Sequence, residues 1–180
     1  MATPTTLPAT FVAGNVLAAS ELNAMRGAFR VLQVVQTIKT DTFSATVGTT
    51  PTDITGLSVS ITPSSTSSKI LVYANMSQGV NTAGCYLLVR GSTAIGLGAT
   101  AGSRQSVTMG TSAAVGSNAQ GSSSLCVLDS PATTSSTTYK IQYTGDQAGS
   151  FFALNRGFTD TDAVNHFRAS STITVMEISA

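Results

Sequence analysis

The stretch "DTDAVNHF" sets His166, the single histidine of the chain, close to Asp160 and Asp162. Two carboxylates two residues apart and a nearby imidazole have the donor types to converge on one ion, with oxygen ligands favouring Ca²⁺ over Zn²⁺. The plainer reading is preferred, because Asp and Asn are ordinary loop formers, and no metal site is assigned. Glu21 and Glu177 are the only glutamates and stand at opposite ends of the sequence, which argues against the paired carboxylates of a glycoside hydrolase. There is no G-x-S-x-G elbow, no phosphate-binding Gly-Lys-Ser/Thr loop and no dinucleotide fingerprint; "GLGATAG" lies between strand signals and reads as a loop. Catalysis is therefore not expected, and no cofactor is assigned. Cys85 and Cys126 sit inside the apolar alternations "GCYLLV" and "SLCVL", which predicts two buried free thiols on strands, with a disulfide between them as the alternative.

Phe151, Phe152 and Phe158 cluster around Arg156 in the sequence, the one hint of a binding surface. Rings of this kind are either core and interface residues or a platform on which a sugar stacks. Tyr73, Tyr86, Tyr139 and Tyr143 fall within strand signals and read as core or interface residues.

The elements that must position these residues are short and strand-like. Residues 1–10, "MATPTTLPAT", form a Pro/Thr-rich arm expected to be extended and ordered only when laid against something. Ser20 is a plausible N-cap, followed by Leu22, Met25, Phe29 and Leu32 at spacings of three, four and three, which predicts one short amphipathic helix. Isolated helices this short are marginal in water, so it needs a neighbour: its own domain, further copies of itself, or a docking surface. From Gln33 the period changes to two. "TFSATV", "LSVSI", "CYLLVRG" with "TAIGLG", "SVTM", "SLCVL", "TYKIQYT", "SFFALNRG" and "STITVMEI" read as antiparallel strands, and "KILVYANM", apolar on both faces, as a central one. About eight to ten strands with regular turn signals predict an all-β antiparallel sandwich, jelly-roll-like, over 33–180, preceded by the arm and helix over 1–32.

The chain has 180 residues, and charged residues make up 9% of it against a usual ~25%. With a formal net charge of +1 and no basic patch, steering by nucleic acid is not expected. No apolar run approaches the roughly 20 residues of a bilayer span, and the N-terminus lacks the pattern of a signal peptide, so the expectation is a soluble protein made in a cytoplasm.

"FVAGNVLAASELNAM" is similar to the Phe-x-x-Gly-x-x-Leu-x-Ala-x-x-Leu-Asn pattern near the N-termini of tailed-bacteriophage virion proteins. Phe11, Gly14, Leu17, Ala19 and Leu22-Asn23 carry the match, and Ala18 stands where such proteins often have threonine. From Val31 onward the chain resembles a family of short structural proteins of aquatic phages. The resemblance implies a homotrimeric jelly-roll, related in architecture to tumour-necrosis-factor and complement-head domains, localised to a virion assembled in the host cytoplasm. Phe11, Leu17, Leu22, Met25, Phe29 and Leu32 would then serve attachment to other virion proteins or oligomerisation. Loops at 100–122 and 145–168 would meet a host glycan or receptor, with Phe151, Phe152, Arg156 and Phe158 as the contact residues. A short fibre or fibre tip is the first reading. A capsid decoration protein and a carbohydrate-binding module are the alternatives.

Overall fold

The computed structural model describes residues 31–111 and 118–179. The arm and the helix positions Phe11, Leu17, Leu22, Met25 and Phe29 lie outside them. Eleven strands follow one another: β1 (Val31–Lys39), β2 (Phe43–Val47), β3 (Thr52–Ile61), β4 (Lys69–Val80), β5 (Gly84–Arg90), β6 (Thr93–Ile95), β7 (Met109–Thr111), β8 (Gly121–Asp129), β9 (Thr137–Gly145), β10 (Ser150–Leu154) and β11 (Ser171–Ile178). Leu32, placed on the helix by its spacing from Phe29, instead belongs to β1, at an irregularity in the pairing with β11. An a/d spacing and a strand alternation agree over so few residues, and cross-strand pairing decides between them.

Two antiparallel sheets pack face to face. In the six-stranded sheet β4 pairs β8 along one edge, and along the other it pairs β11 and then β10; β1 pairs β11 and β2 pairs β10. The five-stranded sheet runs β3, β9, β5, with β6 and β7 both on the far edge of β5. The chain is thus one long hairpin rolled up. Its outermost pair (β1 and β2 with β10 and β11) lies in the first sheet, the next (β3 with β9) in the second, then β4 with β8 in the first and β5 with β6 and β7 in the second. This alternation is the jelly-roll arrangement. The turn expected near Gly91 and Ser92 joins β5 to β6, with Gly91 at φ +60. "SVTM" is strand only from Met109 onward.

Alternation places the core. Leu57, Val59 and Ile61 from β3 in one sheet and Ile70, Val72, Ala74 and Met76 from β4 in the other belong to the same core, all buried. An aromatic cluster fills one part: Phe152 stacks on Tyr143 at 4.0 Å between centroids, with Tyr86 edge-on at 6.0 Å and Phe43 at 6.1 Å. Phe152 is fully buried, so it is a core residue and does not contact a partner, contrary to the expectation from sequence. Within β10 it shares its face with Leu154, while Phe151 points to the other side.

Near Val31 the two sheets are laced by polar groups. Arg90 from β5 donates through Nη1 to both carboxylate oxygens of Asp129 on β8 (2.8 and 2.9 Å), and Tyr139 from β9 donates to the same carboxylate at 2.7 Å. On the inner face of β11, the fully buried Glu177 accepts from the Ser64 amide (2.7 Å), the Ser64 hydroxyl (2.6 Å) and Gln33 Nε2 (2.6 Å). Burial pushes this carboxyl up. The Ser64, Gln33 and Ser68 hydrogen bonds together with the Ser64 amide outweigh burial and hold it down at about 2. An unfolded glutamate titrates near ~4.3, so this contribution to stability is complete above that pH and is lost as pH falls from ~4.3 towards 2. Glu177→Gln is expected to lower the melting temperature at neutral pH and to flatten its decline below pH ~4.3, read by thermal melts across pH.

Candidate subunit interface

The inner face of the six-stranded sheet is core, yet its outer face is also apolar. In an antiparallel pair directly opposed residues project to the same side, so the register fixes which side chains are neighbours. Val34 on β1 opposes Met176 on β11, which opposes Leu71 on β4, which opposes Leu128 on β8. The next row is Gln36, Thr174, Tyr73 and Cys126, and the one after it Ile38, Thr172, Asn75 and Ser124. None of these positions carries a charge. Val34 and Ile38 are each 56% exposed, Leu128 59% and Tyr73 41%. "KILVYANM" is central by its pairing, as expected, but its outer side chains stay open because no described element covers them.

Val34, Met176, Leu71 and Leu128 form one continuous apolar row with Tyr73 and Ile38 exposed beyond it, and such a row is a candidate interaction site where single exposed apolar residues are ordinary. Tyr73, read as core or interface, lies in the next row. Cys126 is exposed there, which corrects the expectation of a buried thiol: Leu125 is the buried neighbour in "SLCVL", and Cys126 has the parity of Leu128. Cys85, buried, lies on the other sheet, and both cysteines are free.

The loop between β10 and β11 lies over the upper part of the same outer face. A Cβ on Gly79 of β4 would meet the Gly157 backbone at 2.5 Å, so the chain at 156–158 runs directly against that strand. Phe151 and Phe158 pack edge-on at 5.0 Å, and the Arg156 guanidinium sits 5.5 Å from the Phe151 centroid while donating to the Phe158 carbonyl at 3.3 Å. Phe151, Arg156 and Phe158 lie together, and their contacts are to one another and fasten the loop to the sheet. Asp160 pairs with Arg168 at 2.5 Å and lies 3.9 Å from Arg156 Nε. Among the described residues no three or more His, Cys, Asp or Glu side chains converge on a metal-sized point.

The loop's exposed apolar residues are others, Val164 and Phe167. The Phe167 carbonyl accepts from Gln120 at 2.7 Å, and the Gln120 amide oxygen accepts from Ser77 on β4. The Phe167 backbone therefore lies near Gln120, beyond the row ending at Ser124. Only the apolar letters in "DTDAVNHF" hint at the two exposed side chains.

No family model matches the chain, and no curated protein matches it. Among solved structures it is similar to a chain in "Structure of infectious bursal disease virus Gx strain", at 15% identity and a TM-score of 0.37, over 82% of this chain and 38% of that one. The chain thus spans well under half the length of that neighbour.

Proposed function

We propose that this protein is a non-enzymatic structural protein of a virion, a homotrimer whose copies meet through the outer face of the six-stranded sheet. It is a short fibre or fibre-tip module of a tailed phage, fastened through residues 1–32 and presenting the opposite end of the sandwich to the host surface. The carrying observation is the uncharged row Val34, Met176, Leu71 and Leu128 with its exposed neighbours Ile38 and Tyr73. Lys69 flanks the row on the same side and donates to Ser130, but within the row itself no like charges oppose one another when it meets a copy of itself, and burying it removes apolar area from water at about 25 cal/mol per Å². The threefold number and the place on the virion are what the resemblance to phage structural proteins implies. In this arrangement the Arg156 cluster falls on the side where copies meet, which moves host contact away from it.

The test is to place charge on the face. Val34→Lys combined with Leu128→Lys is expected to reduce the particle from three chains to one in light scattering, with the strand signal in circular dichroism unchanged, because both side chains already point to solvent within one chain. A variant that keeps the wild-type mass would overturn this assignment of the interface. Copy number per particle, low for a fibre and high for a capsid-wide decoration, then fixes the place on the virion.

A further inference from the structure

We infer that the protein binds a single neutral sugar residue in a hollow on the outer side of the five-stranded sheet, at the end of the sandwich away from Val31. The inference deepens the host-facing part of the proposed function and rests on that reading for its biological setting alone.

Position comes first. β4 runs the length of the sandwich, from Lys69, joined through Ile178 to Val31, to Val80 beside the hollow at Ala83, roughly 35 Å at the usual rise per strand residue. A particle fastened through residues 1–32 therefore turns this end outward. The hollow opens on the sheet opposite the apolar face, so copies meeting there leave it free.

Its shape and chemistry supply the rest. The cavity has a volume of about 240 Å³ and is lined among others by Ala83, Cys85, Gln105, Val107, Gly110 and Asp146. Drug-sized sites run roughly 300–1,000 Å³, so this one suits a single ring. Gly110 on β7 directly opposes Cys85 on β5, and a side chain at 110 would stand beside the Cys85 sulfur, in the hollow. A Cβ there meets nothing within 4 Å, and Gly110 is not among the glycines with positive φ. Neither packing nor backbone conformation requires glycine, which weakens a strand and often marks a place where a ligand approaches the backbone. Gly145 differs, since a Cβ there would strike Ser150 at 2.5 Å.

Ala83, Val107 and the glycines give the lining a mostly apolar character, and Gln105 and Asp146 are its polar members; the Gln105 amide oxygen accepts from the Cys85 thiol at 3.7 Å, which leaves its amide nitrogen as a donor. A pyranose has the matching division, a C–H face and a rim of hydroxyls that donate to a carboxylate and accept from an amide nitrogen. Asp146 accepts from the Ser150 hydroxyl at 3.1 Å, and among the described residues no lysine or arginine pairs with it. Its charge selects against uronates and other acidic sugars.

Saturation-transfer NMR on the full chain tests this with the methyl glycosides of glucose, galactose and N-acetylglucosamine, and methyl glucuronide as the acidic control. The expected result is saturable binding of at least one neutral glycoside, with a Kd on the order of 1 mM, and none of the glucuronide. Gly110→Leu places a side chain in the hollow from a Cβ that meets nothing within 4 Å, and it is expected to weaken that binding at least about tenfold at an undiminished melting temperature. Asp146→Asn, which preserves size, is the second variant; it should weaken the neutral sugar and admit the glucuronide. Absence of binding by all three neutral glycosides, or wild-type binding by both variants, would overturn the inference. A monomer that binds sugar would sustain it while removing the trimer; a trimer that binds none would do the reverse.

Discussion

Phe152→Ala is expected to destabilise the fold by about 3–5 kcal/mol, read as a lower denaturation midpoint at an unchanged slope. The ring is fully buried between Tyr143, Tyr86 and Phe43, and its removal leaves a cavity that rigid strands on both sheets close only in part. Its neighbour makes the control. Phe151 packs on Phe158 and Arg156 at the sheet surface and is partly solvated, so Phe151→Ala is expected to lose about 1 kcal/mol. Equal losses from the two would contradict the parity on which the sandwich is drawn.

Asn155→Leu is expected to be comparably severe, at about 4 kcal/mol, in the same denaturation experiment. Asn155 sits where β10 ends before β11 begins, alongside the break between β1 and β2. Its Nδ2 donates to the Lys39 and Asp41 carbonyls, both at 2.8 Å, its Oδ1 accepts from Ser171 Oγ at 2.7 Å, and its amide donates to the Ser77 carbonyl at 2.8 Å. One side chain thus joins three rows of the sheet where the ladders are interrupted. Leucine would remove the donor to both carbonyls and the acceptor of the Ser171 hydroxyl, which would keep only the Ser77 amide at 3.0 Å, and it would also have to adopt φ +63, which asparagine tolerates and bulky apolar residues resist. Asn155→Gly separates the two causes: it relieves the backbone and keeps the loss of hydrogen bonds, so it should fall between leucine and wild type.

These two residues show what pattern reading reaches. In Leu57, Val59 and Ile61 the alternation was clean, because one side of β3 is core and the other is water. It was ambiguous for Phe151 and Phe152, adjacent and chemically alike, since only the register with β2 and β4 tells which is inside. Asn155 was illegible for a different reason: its partner Lys39 is 116 positions away, and a polar residue after "FFAL" looks like the end of a strand and nothing more. The buried role of Glu177 is illegible for the same reason, since its neutral donors come from a serine-rich turn and a distant glutamine.

The candidate interface was half visible. β1 and β4 are apolar at both parities, which signals burial on both faces, and no described element covers the second face. Cys126 and Leu128 complete that face, but their parity within "SLCVL" has meaning only once β8 is aligned on β4. The sugar-sized hollow could not be seen at all, since it is defined by a side chain that Gly110 lacks and by walls from four separate segments.

The central claim is that copies of this chain meet through the apolar outer face. It is tested most directly by the solution mass of the full, unmodified chain from light scattering across a range of concentrations. The account predicts a stable particle of three times the 18.3 kDa chain mass. A mass equal to one chain at every concentration would contradict it.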